Sequence, residues 1–241
     1  RGGSGWTVPP SNVARRQEGV LMSLSTTALH DLHKELGGRL VDFAGWELPV
    51  QFAGIIAEHQ HTRKSASLFD VSHMGQILIR PKSGNLADAA AVLETLIPAS
   101  VAGLKEGRQR YGLFTDENGG ILDDLMFAHH GDRYFLVVNA ARSDHDLGLL
   151  HTLEGVTVEH LTDRSLLALQ GPRAEEALCG LVPEATGLKF MDSQILDWDG
   201  IEVWISRSGY TGEDGFEISV PSLEAERLAR ALLECDWVLP A

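Results

Sequence analysis

Two apolar runs, residues 194–198 and 201–206, are separated only by Asp199-Gly200. An Asp-Gly link between strand-like segments closes a tight hairpin, because its backbone twist matches that of paired strands. Strands joined this way are antiparallel, and the theme recurs along the chain. Residues 110–114, 121–128 and 133–139 are expected to form a meander through polar turns at 115–120 and 129–132. Strands are also expected at 39–43, 76–80, 156–161, 166–170 and 216–220, with 44–52 an aromatic-rich loop. Helical spacing predicts helices over 26–38, 54–68, 84–97, 143–153 and 172–181. A last helix is expected to be capped by Ser222, to reach Cys235 and to run out toward Leu239. Strands outnumber helices and come in adjacent pairs, so the expected class is α+β, antiparallel sheets with packed helices.

The net charge of -14 and the lack of a basic stripe exclude a duplex-binding surface, so no nucleic-acid partner is expected. No apolar run approaches the ~20 residues of a membrane span, so no membrane partner is expected either. Cys179 and Cys235 lack Cys-x-x-Cys spacing, and no metalloprotease, EF-hand or phosphate-loop pattern occurs. No metal is therefore expected, and a reducing compartment is. Residues 1–21 have no long apolar core, and Glu18 stands beside Arg15 and Arg16, which suits neither a secretory nor a mitochondrial address. They are read as a disordered leader ahead of a true start at Met22, with 22–241 as two interwoven α+β subdomains of a chain cut at its C-terminal side.

Two stretches carry more chemistry than their elements need. The connection 207–217 holds Gly209, Gly212 and Gly215 with Arg207, Tyr210, Glu213, Asp214 and Glu217. Gly209 and Gly215 are expected to let backbone approach a ligand. Tyr210 offers a ring to stack, and Glu217 can accept two parallel hydrogen bonds from a guanidine-like edge. Asp214-Gly215 could equally be a plain turn, and Glu213 a solvated acid. The second stretch is Asp123-Asp124, inside an apolar strand. Neighbours in a strand point to opposite faces, so they make no dyad without a bulge. Asp124 is expected on the buried side with Leu122, Met126 and Ala128, where a carboxylate is costly unless paired. The plain alternative is a strand-end aspartate beside Gly119-Gly120. His73 reads as structural, His59 and His61 share no helix face, and His129-His130 reads as a polar turn.

Five ordered motifs then carry a resemblance: Leu32-His33-Lys34-Glu35-Leu36-Gly37-Gly38, Asp42-Phe43-Ala44-Gly45-Trp46-Glu47-Leu48-Pro49-Val50-Gln51, Phe69-Asp70-Val71-Ser72-His73-Met74-Gly75, Gly119-Gly120-Ile121-Leu122-Asp123-Asp124, and Gly209-Tyr210-Thr211-Gly212-Glu213-Asp214-Gly215-Phe216-Glu217. From about Thr26 onward the chain resembles the aminomethyltransferase (T-protein) family of the glycine cleavage system. The resemblance implies a three-domain cloverleaf with folate in its centre, and glycine catabolism feeding one-carbon metabolism. It implies tetrahydrofolate as co-substrate, no metal, and the lipoylated H-protein as partner. The aminomethyl group on the dihydrolipoyl arm would give up ammonia and form 5,10-methylenetetrahydrofolate. By position, Asp124 matches the catalytic carboxylate with Asp123 as support, and Glu217 matches the folate-ring carboxylate. Tyr210, Tyr111 and Asn139 match folate-pocket positions, Met74 packs against the ligand, and Arg207 is a structural partner of nearby acids.

The family continues with a Gly-Leu-Gly-Ala-Arg-Asp motif and a C-terminal barrel. The resemblance therefore implies weak folate binding and little turnover by this chain alone. A bacterial cytoplasm is expected, or the mitochondrial matrix in a eukaryote. Rivals are a folate-dependent demethylase, a catalytically dead binding module, and folate proteins of iron–sulfur assembly. The last carry Lys-Gly-Cys where this chain has Ser208-Gly209-Tyr210.

Overall fold

The computed structural model describes residues 23–241, and the leader expected at 1–21 lies outside the described residues. In chain order the elements are α1 (His30–Glu35), β1 (Leu40–Phe43), β2 (Trp46–Pro49), α2 (Ile55–Thr62), β3 (Ala66–Asp70), β4 (Gly75–Pro81), α3 (Leu86–Leu93), β5 (Gln109–Thr115), β6 (Ile121–His130), β7 (Arg133–Val138), α4 (Ser143–His151), β8 (Val156–His160), β9 (Arg164–Gln170), α5 (Ala174–Leu181), β10 (Ser193–Trp198), β11 (Ile201–Ser206), β12 (Gly215–Pro221), α6 (Ala225–Leu233) and β13 (Val238–Pro240). β1 and β2 form a hairpin. The remaining strands build a six-stranded sheet, β10-β11-β12-β9-β3-β13, and a five-stranded sheet, β5-β6-β7-β4-β8. The class is α+β with antiparallel sheets, as expected. One pairing departs, the parallel contact of β13 with β3.

Each sheet has its own apolar core. Leu167, Leu169, Phe216 and Ile218 of the six-stranded sheet pack on Leu178 of α5 and Leu228 and Leu232 of α6. Ile77, Ile79, Phe114, Leu125 and Phe127 of the five-stranded sheet pack on Leu93 of α3 and Leu150 of α4. The two sheets meet through Leu78, Ala128, Phe135 and Trp204. β4 is thus covered on both faces, Ile77 and Ile79 toward the helices and Leu78 toward the other sheet. That is why its sequence is a continuous apolar run rather than an alternation. Among the described residues no helix is long and apolar enough to cross a membrane.

Several expected boundaries are corrected. Residues 46–49 are a strand, not loop, because Ala44 (φ 53°) and Gly45 (φ 85°) supply the two left-handed residues of a hairpin turn. The helix expected to reach 68 stops at Thr62, and Ile55 and Ile56 are exposed. Ala66, Ser67 and Leu68 are buried in β3 between β9 and β13, where burial on both faces erases strand periodicity. The last helix ends at Leu233 and Val238–Pro240 is a strand. Ser222 caps nothing: it opens a short 3-10 turn, and its Oγ pairs with Ser165 Oγ at 3.1 Å. His130 is no turn residue but the buried end of β6. It stacks on Phe135, with Nε2 2.9 Å from Ser193 Oγ. Burial, then Arg133 and other nearby cationic groups, push its imidazole down to about 4.

Candidate active site

The site grows from the register of β5, β6 and β7. Tyr111 pairs with Met126 and Leu113 with Asp124, so Tyr111, Asp124, Met126 and Ala128 share one face of the five-stranded sheet. Phe114 pairs with Asp123, which places Asp123 on the helix-covered face with Leu125 and Phe127. The register slips between Phe114 and Thr115, and Leu122 packs into the helix-side core. The expected company of Asp124 is therefore right for Met126 and Ala128 and wrong for Leu122, and Asp124 is only half-buried, the helix-covered side going to Asp123.

Alternation separates the two carboxylates, and Asn139 reunites them. Standing just past β7, it donates from Nδ2 to Asp123 Oδ1 (3.0 Å), Asp124 Oδ1 (3.1 Å) and the Asp124 carbonyl (3.3 Å). One amide thus holds both acids, with the register unbroken between them and slipping only past Asp123, at Leu122. Crowding, then the charges of Asp124 and Asp123, holds the Tyr111 phenol above its ordinary range.

The 207–217 connection faces the same space. The Tyr210 ring is 69% exposed, yet surrounding protein and then Glu217, Asp124 and Tyr111 push its phenol up to about 12. Those neighbours bring four of the expected residues together: Tyr111, Asp124, Tyr210 and Glu217. Glu217 lies on β12 between Ser206 of β11 and Ala168 of β9 and is only 9% exposed. Burial raises its carboxyl, and Ser208 Oγ donates to Oε2 at 2.6 Å. Among the described residues Ser208 is the side chain that donates to this carboxylate, and Oε1 is not one of the buried oxygens left without a partner. Met74 stands half-buried in the turn between β3 and β4, its amide on the Val71 carbonyl at 3.0 Å, and is not part of this hydrogen-bonded group.

The loop itself is braced from outside the site. Arg207 reaches Glu175 (2.9 Å), Asp214 and the Leu188 carbonyl (2.8 Å), while Arg63 meets Glu213 at 3.0 Å. A Cβ on Gly209 would stand 1.8 Å from Gln170 Oε1, and one on Gly215 2.5 Å from the Leu169 carbonyl. These glycines make room for Gln170, whose Nε2 donates to the Ser208 and Phe216 carbonyls. Beyond Tyr210 opens a cleft of about 660 Å³ lined by Phe43, Leu48, His59, Arg63 and His73.

Sequence reasoning missed Ser208, which anchors Glu217, and Asp146, buried at the start of α4. Ser-Asp-His-Asp at a helix start reads as a solvated turn, and only the packing of α4 on β8, with Asp123 of β6 as a neighbour, buries its last acid. Among the described residues no group of three or more His, Cys, Asp or Glu is placed to hold a metal.

Fold and site define an α+β protein whose two sheets meet beside a cluster of acids and phenols. Residues 29–236 match the family described as the GCVT N-terminal domain, and the chain belongs to that family. The mitochondrial aminomethyltransferase of Dictyostelium discoideum is 43% identical over 223 residues, covering 87% of this chain and 54% of its own. The aminomethyltransferase of Bacillus subtilis is 42% identical over 219 residues, covering 88% and 59%. The crystal structure of glycine cleavage system aminomethyltransferase T from Bartonella henselae superposes with a TM-score of 0.82 at 38% identity. It covers 91% of this chain and 60% of that one. Heterotetrameric sarcosine oxidase from Corynebacterium sp. U-96 shares the fold alone, at TM-score 0.50 and 21% identity, over 74% of this chain and 89% of that one. The chain thus spans a little over half the length of the aminomethyltransferases it matches.

Proposed function

We propose that this chain carries the folate-binding and proton-handling surface of a glycine-cleavage aminomethyltransferase. The observation that supports this best is Glu217: a carboxylate only 9% exposed that, among the described residues, has the Ser208 hydroxyl and no cation beside it, on the loop side of the space that Asp124 also faces. Burial already raises this carboxyl, so donors from a ligand would stabilise its ionised form. The aminopyrimidine edge of tetrahydrofolate offers two parallel N–H donors, which both Glu217 oxygens can accept while Ser208 keeps its own bond.

In this reading tetrahydrofolate is the co-substrate that takes the one-carbon unit. The aminomethyl group arrives on the dihydrolipoyl arm of the H-protein and leaves its nitrogen as ammonia. Glu217 fixes the ring, Tyr210 stacks against it and Met74 packs beside it. The Asn139 amide holds Asp124 Oδ1, leaving Oδ2 to take up and return a proton as the ring nitrogen attacks the one-carbon unit. Tyr111 keeps Asp124 from turning away. The relatives named above come from a bacterium and a mitochondrion, and we place this activity in the bacterial cytoplasm or the mitochondrial matrix accordingly.

The test is ammonia release by the full-length protein from aminomethylated H-protein, with and without tetrahydrofolate. Asp124→Asn is expected to lower the rate by about 100-fold or more with the circular-dichroism spectrum and melting temperature preserved. An unchanged rate would overturn the role given to Asp124. Release that does not depend on tetrahydrofolate would overturn the whole reading.

A further inference from the structure

Behind Asp123 lies a carboxyl that the transfer chemistry does not touch. Asp146, at the start of α4, is fully buried, and among the described residues its Oδ2 accepts from no hydrogen-bond donor; Asp123 Oδ2 is in the same state. The remaining oxygens are engaged. Asp123 Oδ1 accepts from Asn139, and Asp146 Oδ1 lies 3.1 Å from His145 Nδ1. The two side chains lie within hydrogen-bonding reach of each other. Neither makes an ion pair with an arginine or lysine among the described residues. Two ionised carboxylates this close in a dry place repel strongly. One proton between them satisfies both orphaned oxygens.

We propose that Asp123 and Asp146 share a single proton, and that this pair is a positioning unit that holds the Asn139 amide on Asp124. The contacts Asp146–Asp123–Asn139–Asp124 lead from the helix-covered core to the open face of the sheet. The consequence for catalysis rests on the role proposed for Asp124; the shared proton does not.

The surroundings fit. Titratable and charged neighbours of the pair are Asp124 on β6, His145 on α4, and Arg142, whose Nη2 binds the Leu122 carbonyl and the His145 ring. β5 brings Phe114 opposite Asp123, and β7 leads into the neutral Asn139. β8, on which α4 packs, carries His160 and Glu159, the latter paired with Arg80. A carboxylate near a helix start is ordinarily favoured in its ionised form. Here burial, and the nearby Asp123 against the opposing pull of His145, raise the Asp146 carboxyl to about 6. With the folded value above the unfolded one, its stabilising contribution is complete below about 3.8 and is lost as pH rises through about 6.

The experiment is a carbon-13 NMR titration of the carboxyl groups of aspartate-labelled chain, with Asn139 side-chain amide signals followed in parallel. The Asp146 carboxyl is expected to keep its proton to about pH 6, with the Asn139 signals moving in step. Asp146→Asn puts an amide donor where the proton was, so that titration should vanish and the Asn139 signals should stay flat. Asp146→Leu removes the donor and should displace them at every pH. Separate titration of both carboxyls in the ordinary aspartate range, or Asn139 signals indifferent to the pair, would overturn the proposal. Should Asp146→Asn fail to fold, the wild-type titration alone decides. No ligand or turnover enters this measurement, so its failure is distinct from failure of the transferase reading. In the full-length protein, Asp146→Asn should flatten the pH profile of transfer around pH 6 without abolishing transfer. A profile identical to wild type would sink the positioning role.

Discussion

The acids at the tip of the 207–217 loop and those at the site, on β6 and β12, are kept in opposite ways. At the loop tip every acid has an arginine: Asp214 meets Arg207 and Glu213 meets Arg63, with Glu175 completing the Arg207 clasp. At the site, Asp123, Asp124 and Glu217 have only an amide or a hydroxyl. An acid neutralised by a neighbouring guanidinium has spent its charge on shape. An acid held by neutral donors keeps its charge and its free lone pairs for a ligand or a proton. Proximity to the site thus says less about an acid's role than the kind of partner it has.

The comparison can be sharpened first at Glu217. Glu217→Gln should weaken tetrahydrofolate binding by the full-length protein roughly ten- to a hundredfold, the value of a charged hydrogen-bonding group. The same change should raise stability near neutral pH, because a buried carboxyl raised by desolvation penalises the folded state once ionised. Its stabilising contribution is complete below the ordinary value of 4.5 and is lost as pH rises through the folded value. Melting curves across that range should slope downward with pH in wild type and less so in the variant. Weaker binding without that flattening would mean that Glu217 is not the buried anion described here.

Breaking the loop should cost stability instead. Gly209→Ala drives a methyl group into Gln170 and should destabilise by about 1–3 kcal/mol, read as a lowered denaturation midpoint. A wild-type midpoint would show that Gln170 has somewhere else to go. The smallest effect is expected at Arg207. Arg207→Lys keeps the charge but loses the fork that spans Glu175 and Asp214. Both partners are over a third exposed, so the loss should be about 1 kcal/mol and shrink in high salt. A large, salt-insensitive loss would erase the distinction between the two sets of acids.

What the sequence revealed followed turn chemistry. Asp199 (φ 55°) and Gly200 (φ 82°) sit in the left-handed pair that a tight hairpin needs, and β10 and β11 lie where the turn predicts. β3 and β13 were illegible because strands covered on both faces, or only three residues long, leave no alternation to read. In the site, Asp124 and Glu217 were marked by their motifs. Asp146 was not, because its burial is decided by how α4 packs on the sheet and not by its neighbours in sequence. Gly209 and Gly215 were noticed for close approach of their backbone, but that the neighbour is Gln170 could not be read from one dimension.

The order of strands also sets a timetable. All of β4 through β8 is threaded between β3 and β9, which are neighbours in the other sheet, with Ser67 opposite Gln170. The five-stranded sheet is one uninterrupted piece of chain and can close as soon as β8 leaves the ribosome. The six-stranded sheet must wait for β9, and its parallel edge waits for β13, which returns to Ala66 from the far end of the chain. Contacts so distant along the chain form slowly, so Asp124 stands on the part that assembles early and Glu217 on the part that assembles late. The site comes into being only when the second sheet closes onto the first.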